Sequence, residues 1–434
     1  MGEAGPLFEI QYLKPETTVI GLTGPLSAGC STIAEYLERE KGYTLKRLSD
    51  IIRKELREKD GIELPEPRQL QDKGDELRGT HGHDTLVRSV FKDLFEKKPE
   101  RIVIDGIRNP GEIKYLRKFS GFFLIGIDAS REERLRRYRI KTGSPIPDQD
   151  FFGIDERDSG KNQQENGQNV TRCIDLTDYQ IINQEAWDDD LTVKEKLFKK
   201  VELLLDLIKE PGSVLPSMQQ IGMHLAYSAS LMSPCLKRQV GAMIAREVES
   251  DKELAIAIGY NRPPDGVKNC FDRFHGCYRD LLKDRMENKL SEEQEKLTTG
   301  LNILLEEKKE LSTQLNDRIG ESFGNLKKSF LSDPELKQLD YCQAIHAEES
   351  AILQIAKLGG VSLGGTTLYT TTFPCIMCAK KIIQTGISKV VYNEAYPVIQ
   401  AKELLSRALG AENLIRFEGV KALAFFKLFQ SNRI

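Results

Sequence analysis

Two short clusters of metal-ligand side chains place the strongest constraint on the fold of this sequence. One is residues 346–348 (HAE) and the other is residues 374–378 (PCIMC). One histidine and two cysteines can hold Zn²⁺ through three protein ligands and leave a fourth position open for water. Helical patterning begins at each cluster, and the positive end of a helix helps to keep cysteines as thiolates. The sequence therefore predicts a metal centre with the ligands His346, Cys375 and Cys378.

Glu348 is the candidate catalytic residue of this centre. It follows His346 so closely that it can reach water on the metal without being a ligand itself. Zinc brings the pKa of such a water to about 7, and Glu348 can carry protons to a ring nitrogen and a departing amine. The H-x-E…P-C-x-x-C pattern is the signature of zinc-dependent nucleobase deaminases. An isolated C-x-x-C would instead fit a redox pair or half of a structural zinc site.

Further motifs around this pattern carry a family resemblance. They are residues 233–242 (SPCLKRQVGA), 259–264 (GYNRPP), 346–352 (HAEESAI) and 369–375 (YTTTFPC). In this order they resemble a deoxycytidylate deaminase over roughly residues 221–409. The resemblance implies hydrolytic deamination of deoxycytidine nucleotides, dCMP, dCTP or both, to dUMP and dUTP. It also implies a five-stranded mixed sheet with helices on both faces, and substrate contacts from Ala347 and from Asn261 at the sugar. The alternative for Asn261 is a turn residue before two prolines.

The remaining cysteines of this region suggest a second metal. Some phage-type dCMP deaminases carry a structural zinc whose cysteine ligands lie in S-x-C and N-C contexts, which Cys235 and Cys270 match here. Cys277 would be a third ligand, and either His275 or Cys342 would complete the closed set of four that structural zinc prefers. The alternative is that these are free cysteines packed as small apolar side chains.

A glycine-rich loop near the start of the chain predicts a phosphate-binding site. Residues 24–32 (GPLSAGCST) read G-x-x-x-x-G-x-S-T between a predicted strand, 17–21, and a predicted helix, 32–39. Backbone N–H groups in such a loop and the following helix dipole can cradle a phosphate. Cys30 stands where the motif has lysine, so phosphoryl transfer should be slow or absent while nucleotide binding persists. The candidate binding residues are Gly24, Gly29, Ser31, Thr32 and, for Mg²⁺ at the end of a strand at 101–105, Asp105.

The N-terminal region as a whole resembles a P-loop kinase. A run of arginines resembles the lid arginines of nucleoside-monophosphate kinases, although an exposed basic helix face is the alternative: Arg131, Arg134, Arg136, Arg137 and Arg139. We expect a degenerate kinase-like domain that binds a regulatory nucleotide of the dTTP, dCTP or ATP type. The combined layout resembles the bacterial anti-phage dCTP/dCMP deaminases. That resemblance implies antiviral defence by nucleotide depletion, a homo-oligomer such as a hexamer, and a small regulatory RNA partner.

These patterns predict an α/β protein of two domains. A P-loop kinase-like parallel-sheet domain is expected over residues 1–215, ending at the punctuated segment 211–216 (PGSVLP). A cytidine-deaminase-like α/β/α domain with a long helical insertion at 281–334 is expected over residues 216–434. With 63 basic and 66 acidic side chains, the formal net charge is 63 − 66 = −3, which disfavours general polyanion binding. The sequence also predicts neither a membrane span nor a secretory signal, and hence a cytoplasmic protein.

Two other functions compete with free-nucleotide deamination. A polynucleotide deaminase acting on RNA or DNA would use the same metal chemistry but would need a basic groove. A nucleotide-sensing or RNA-bound regulatory module would retain the fold without the activity. The intact His346, Glu348, Cys375 and Cys378 argue against the second alternative.

Overall fold

The chain folds into two compact units. The computed structural model describes residues 16–94, 98–143, 146–160, 163–184, 191–249, 252–304, 309–332, 342–359, 361–394 and 399–430. Unit 1 comprises residues 1–220 and 417–434, and unit 2 comprises residues 221–416. The predicted division after residue 215 lies close to the observed one. The structure departs from the prediction that the second domain runs to residue 434, because residues 417–434 return to unit 1.

Unit 1 is built on a six-stranded sheet in the order β11-β5-β4-β1-β3-β2. Its strands are β1 (Thr18–Thr23), β2 (Thr44–Arg47), β3 (Arg101–Asp105), β4 (Phe122–Asp128), β5 (Tyr179–Ile182) and β11 (Gly419–Val420). All neighbours pair in parallel except β11, which is antiparallel to β5. The central strands are almost wholly buried, as expected when helices cover both faces of a parallel sheet.

The helices of unit 1 follow the predicted alternation with strands. They are α1 (Cys30–Lys41), α2 (Leu48–Asp60), α3 (Pro67–His81), α4 (Thr85–Leu94), α5 (Pro110–Leu116), α6 (Arg131–Thr142), α7 (Asp148–Ser159), α8 (Val170–Asp175) and α9 (Leu191–Lys209). The final helix α17 (Phe425–Phe429) comes from the C-terminal segment. Two apolar clusters result, and the second includes Val420 and Leu428 from that segment beside the strand residues.

Unit 2 contains the mixed five-stranded sheet that the resemblance implied. Its order is β10-β9-β8-β6-β7, with β6 (Gly241–Glu249), β7 (Lys252–Tyr260), β8 (Thr367–Thr372), β9 (Lys389–Glu394) and β10 (Leu414–Arg416). Strand β6 is antiparallel to both β7 and β8, whereas β8, β9 and β10 run in parallel. The helices are α10 (Met218–Ser230), α11 (Cys270–Phe274), α12 (Tyr278–Leu304), α13 (Lys309–Ser332), α14 (Ala347–Leu358), α15 (Ile376–Gln384) and α16 (Ile399–Leu409).

Two glycines let helices approach this sheet closely. A Cβ on Gly241 of β6 would lie 1.9 Å from the Ala226 carbonyl oxygen of α10. A Cβ on Gly259 of β7 would lie 2.2 Å from the Ala347 carbonyl oxygen and 2.4 Å from the Ala351 nitrogen of α14. Both obstacles are backbone atoms, so a side chain at either glycine would push a helix away. The start of α14, with its metal-ligand residues, therefore depends on Gly259.

The predicted insertion is a pair of long helices. α12 and α13 pack against each other, and the Asn316 amide donates to the Asn302 side-chain oxygen at 2.7 Å. Residues 305–308 and 333–334 of the predicted range lie outside the described residues. Over the described part of the chain, no helix combines the length and apolarity that a membrane span requires.

Candidate functional site

The three predicted metal ligands of unit 2 converge where two helices begin. His346 is the N-cap of α14 and Cys375 is the N-cap of α15, both with extended backbone. The Nδ1 atom of His346 lies 3.2 Å from the Cys375 sulfur and 3.4 Å from the Cys378 sulfur. The three ligand atoms lie within 4.8 Å of one another, and they form the one such cluster found among the described residues. This donor set and spacing fit a zinc ion with an open fourth position.

The two thiols of the cluster differ in their acidity. The pKa of Cys375 is lowered because Cys378, and then His346, hydrogen-bond to its sulfur. The pKa of Cys378 is raised, because it hydrogen-bonds to Cys375 and because it is buried. His346 has a raised pKa, chiefly through its contact with Cys375. Before any metal binds, the cluster thus already stabilises negative charge on one sulfur.

Glu348 lies inside the same cluster. Its side chain is 4% exposed, and its Oε2 atom is 3.5 Å from the Cys378 sulfur. Burial raises the pKa of its carboxyl group, because a low-dielectric environment penalises the charged form. A raised pKa makes the carboxylate a better proton acceptor than an exposed glutamate is.

The two predicted substrate residues, Ala347 and Asn261, differ in their contacts. The side chain of Ala347 is fully buried, with its carbonyl oxygen facing Gly259. The Asn261 amide donates to the Arg238 carbonyl at 2.9 Å and accepts from the Val240 N–H at 2.7 Å. Asn261 therefore ties the loop before β6 to the end of β7. Both ends of its side-chain amide are bonded to backbone groups. Contact between Asn261 and a sugar stays a prediction.

Four cysteines outside the catalytic cluster surround one small cavity of unit 2. Its volume is about 30 Å³, and its lining includes Cys235, Cys270, Cys277 and Cys342. His275, the other candidate for the fourth ligand, is absent from this lining. It is exposed, with its ring edge-to-face against Phe271. Cys342 is thus the better placed of the two alternatives, and the second metal itself stays a prediction.

An ion pair near the metal-ligand cluster was not anticipated from the sequence. Arg238, left without a role by its sequence alone, pairs with Glu394 at the end of β9. The hydroxyl of Thr372 lies 3.3 Å from the same Glu394 carboxylate, and Thr372 ends the strand that leads to Cys375. Glu394 carried no sequence signal, because only the parallel pairing of β8 with β9 brings it to this edge.

The phosphate-loop residues of unit 1 surround a larger cavity. The loop follows β1, and Leu22 of β1 is in register with Asp105 of β3. The hydroxyl of Ser31 donates to the Asp105 carboxylate at 3.1 Å, as expected when parallel strands end at one edge of a sheet. The cavity has a volume of about 640 Å³, and all the predicted loop residues line it: Gly24, Gly29, Ser31, Thr32 and Asp105.

The backbone of the loop is left-handed at two residues. Ser27 has φ 63° and Gly29 has φ 121°, values in the left-handed region, and Gly29 is the N-cap of α1. Gly24 is needed for space, since a Cβ there would lie 2.3 Å from the Ile127 carbonyl oxygen. Cys30 lines the cavity and is partly buried. Burial, followed by the charge of Asp105, raises the pKa of its thiol, so it is neutral where the motif has a cation.

The predicted lid arginines are mostly engaged within unit 1. Arg134 pairs with Asp155, and Arg137 pairs with Glu133 at 3.0 Å. Arg137 also donates to the Ala28 carbonyl of the phosphate loop at 3.2 Å. Both guanidinium groups are largely buried, so these two residues brace the loop. Arg134 and Arg137 therefore do not belong to an exposed basic helix face, which was the alternative for this run of arginines.

A comparison with known protein families agrees with the metal geometry of unit 2. A family model described as "Cytidine and deoxycytidylate deaminase zinc-binding region" matches residues 216–394. Residues 216–394 belong to this deaminase family. The match spans the strands and helices that position His346, Glu348, Cys375 and Cys378.

Similar proteins span both units. A deoxycytidylate deaminase of Schizosaccharomyces pombe is 29% identical over 400 residues, covering 91% of this chain and 95% of its own length. The N-terminal region belongs with the UPF0200 proteins. One from Methanococcus vannielii is 31% identical over 193 residues, covering 43% of this chain and 98% of its own length. A solved dCMP deaminase of cyanophage S-TIM5, in complex with dCMP and dUMP, is 20% identical and covers 47% of this chain and 98% of its own, with a TM-score of 0.27.

The chain thus combines an N-terminal region similar to the UPF0200 proteins with the zinc-binding region that the deaminase family model describes. The deaminase motif was visible in the sequence because its ligands lie in two local clusters. In the sequence, Gly259 was only the first residue of the motif at 259–264. Its role in seating the first turn of the deaminase helix α14 follows from the close approach of backbone atoms.

Proposed function

We propose that this chain is a zinc-dependent deaminase that converts free dCMP to dUMP. The observation that carries the proposal is the cluster of His346, Cys375 and Cys378, whose ligand atoms lie within 4.8 Å of one another beside the buried Glu348. The reaction replaces the C4 amine of cytosine by oxygen from water and releases ammonia. The names of the deaminase relatives support dCMP as the substrate.

The protein's own residues would divide the work as follows. His346, Cys375 and Cys378 would hold the metal, which supplies Lewis acidity and brings the pKa of water to about 7. Glu348 would accept a proton from the attacking water at a carboxylate oxygen. It would deliver that proton to the ring nitrogen. It would then carry the second proton of the water, which remains on the new C4 hydroxyl, to the amine, so that the amine leaves as ammonia and C4 keeps the oxygen. Burial of Glu348, which raises the pKa of its carboxyl group, suits a group that must both take and give a proton.

The decisive test is the turnover of dCMP by the purified full-length protein. Glu348→Gln should lower kcat by about 10²–10⁴-fold, the usual contribution of a positioned proton carrier, while the zinc content stays that of the wild type. Glu349→Gln is the matched control, because Glu349 lies in the same turn but pairs with Lys381 at 3.0 Å. Absence of turnover of every free deoxycytidine nucleotide by the wild type would overturn the proposal.

The choice of substrate needs a direct comparison. The resemblance to anti-phage enzymes makes dCTP the alternative nucleotide, and the shared metal chemistry makes a cytidine-containing oligonucleotide the alternative class. Initial rates should therefore be measured on dC, dCMP, dCTP, their ribose forms and a single-stranded oligonucleotide. We expect dCMP to have the highest kcat/KM, and a preference for the oligonucleotide would instead favour the polynucleotide deaminase.

We also propose that unit 1 binds a nucleotide phosphate and thereby regulates the deaminase. The support is the Gly24–Thr32 loop around the 640 Å³ cavity and the contact between Ser31 and Asp105. A serine hydroxyl and a carboxylate are oxygen ligands of the kind that Mg²⁺ accepts beside phosphate. Addition of dTTP, dCTP or ATP with Mg²⁺ should change dCMP turnover. Antiviral action, a hexamer, a small RNA partner and a cytoplasmic location stay predictions.

A further inference from the structure

The cavity of unit 1 has no lysine at the usual place in its phosphate loop. A bound phosphate chain brings several negative charges, which the P-loop lysine normally helps to neutralise. Cys30 occupies that position, and burial keeps its thiol neutral by raising its pKa. Loop N–H groups alone carry only partial charge. A tight phosphate site here therefore needs a cation from another element.

Two arginines that line the cavity are held in place by buried ion pairs. Arg78 is 2% exposed, and its guanidinium lies 2.9 Å from Glu112. Arg137 is 7% exposed and is held by Glu133 and by backbone carbonyls of Ala28 and Asn183. Neither side chain can turn toward a ligand without breaking buried contacts. They brace the walls of the cavity.

Arg108 differs from both. It follows β3 and Asp105 by a turn in which Gly106 has φ 92°, and it lines the same cavity. Among the described residues its guanidinium hydrogen-bonds with Asp158 alone, and 28% of its side chain is exposed. A guanidinium has five N–H donors, so most of them remain for a ligand. Arg108 is also among the charges that act on both Cys30 and Asp105, which places it near the loop and near the candidate Mg²⁺ ligand.

Asp158 gives Arg108 a fixed position. Its side chain is fully buried, one carboxylate oxygen receives Arg108, and the other has no hydrogen-bond partner in the described structure. An acceptor with a buried negative charge holds an arginine more firmly than a surface carboxylate does. The Arg108 backbone is held as well, since its N–H donates to Glu112 at 2.9 Å and its carbonyl accepts from Asn169 at 2.7 Å.

We propose that Arg108 supplies the positive charge that the phosphate loop of unit 1 lacks, so that the cavity binds a phosphate chain of the nucleoside di- or triphosphate class. The inference rests on the proposed binding of a nucleotide phosphate by unit 1. Arg108 contacts the phosphate, and Asp158 is a positioning residue that aims it. The cation thus comes from the end of β3 and is fixed, whereas a P-loop lysine comes from the loop itself.

The experiment is calorimetric titration of the full-length protein with Mg²⁺-ATP and with inorganic tripolyphosphate, which carries no base. Arg108→Gln should weaken binding of both by about 10- to 100-fold, as expected when a charged hydrogen-bonding partner is lost. Arg108→Lys, which keeps the charge beside Asp158, should lose less than Arg108→Gln. Arg53→Gln is the matched control, because Arg53 lines the cavity but hydrogen-bonds to Ser49 and Asp50 of its own helix.

A rescue variant separates charge from folding. If Arg108 does the work of the missing lysine, Cys30→Lys introduced into Arg108→Gln should recover most of the lost affinity for tripolyphosphate. If Arg108→Gln binds the two probes as tightly as the wild type does, Arg108 has no role in binding. The same conclusion follows if Arg53→Gln loses as much affinity as Arg108→Gln does. Either result would leave the proposed regulatory site intact. Failure of the wild type to bind either probe, or any deoxynucleoside triphosphate, would overturn both the role of Arg108 and the regulatory site.

Discussion

Four cysteine residues of unit 2 carry the prediction of a second zinc ion. Cys235, Cys270, Cys277 and Cys342 face one cavity of about 30 Å³, and burial, then the nearby Cys235, raises the pKa of Cys342. A tetrahedral zinc would draw four sulfurs to about 3.8 Å from one another, given Zn–S bonds of about 2.3 Å. Among the described residues, only His346, Cys375 and Cys378 have ligand atoms that all lie within 4.8 Å of one another. The four sulfurs at the small cavity would therefore have to move closer together to hold one zinc ion.

We therefore predict about two zinc ions per chain in the purified wild type, measured by mass spectrometry of the metal content. Cys342→Ser should retain about one, because three thiolates hold structural zinc less tightly than a closed set of four. His275→Ala should retain both, since His275 is exposed and lies outside the cavity lining. Loss of zinc in His275→Ala, or a single zinc in the wild type, would contradict this ligand set. The sequence could not decide between His275 and Cys342 as the fourth ligand. The distance from each of them to the other cysteines depends on the packing of segments that are far apart in the chain.

At the scale of elements, the packing of α14 against β7 controls the catalytic centre. Gly259→Ala would place a Cβ within 2.4 Å of two backbone atoms of α14, so the helix must move. Overpacking of this kind costs about 1–3 kcal/mol. Because His346 is the N-cap of α14 and Glu348 lies in its first turn, we expect Gly259→Ala to lower both the free energy of unfolding and the zinc content, with a corresponding loss of dCMP turnover.

Gly324→Ala is the matched control for that prediction. Gly324 lies within α13, and a Cβ there meets nothing within 4 Å. A helical glycine replaced by alanine is expected to be neutral or to stabilise by up to about 1 kcal/mol. The comparison uses urea unfolding, metal content and initial rates. Retention of zinc and activity by Gly259→Ala would show that α14 tolerates the displacement and would contradict the prediction.

The elements that sequence patterns predicted are those with strong local signals. Strand β3 was predicted with its observed bounds, because it has an apolar centre, Ile102–Ile104, between two charged residues. The short strands β2, β5, β10 and β11 were not predicted, since they are two to four residues long and depend on partners distant in sequence. Residues 163–169, which precede α8, are held by Asn109, whose amide donates to the carbonyls of Glu165 and Gly167.

At the scale of the whole molecule, the chain order of the two units is not simply sequential. Unit 2 lies between two parts of unit 1 in the sequence, and β11 completes the unit 1 sheet by pairing with β5. Glu418 accepts from the Ile182 N–H at 2.7 Å and from Lys200 at 2.8 Å. The buried Lys421 donates to the carbonyls of Ile174 and Asp175. Sequence analysis placed this segment with the deaminase because a two-residue strand has no recognisable pattern.

This arrangement predicts that the C-terminal segment stabilises the N-terminal unit. Leu428 is fully buried in the core of unit 1, whereas Leu423 in the same segment is 65% exposed. Leu428→Ala should lower the free energy of unfolding of unit 1 by about 2–5 kcal/mol, the range for a buried leucine, and Leu423→Ala should change it little. Hydrogen exchange should then become faster in β5 than in the wild type while β8 stays protected. Faster exchange in β8 with β5 unchanged would assign the segment to the deaminase unit instead, and the division of the chain into units would have to be redrawn.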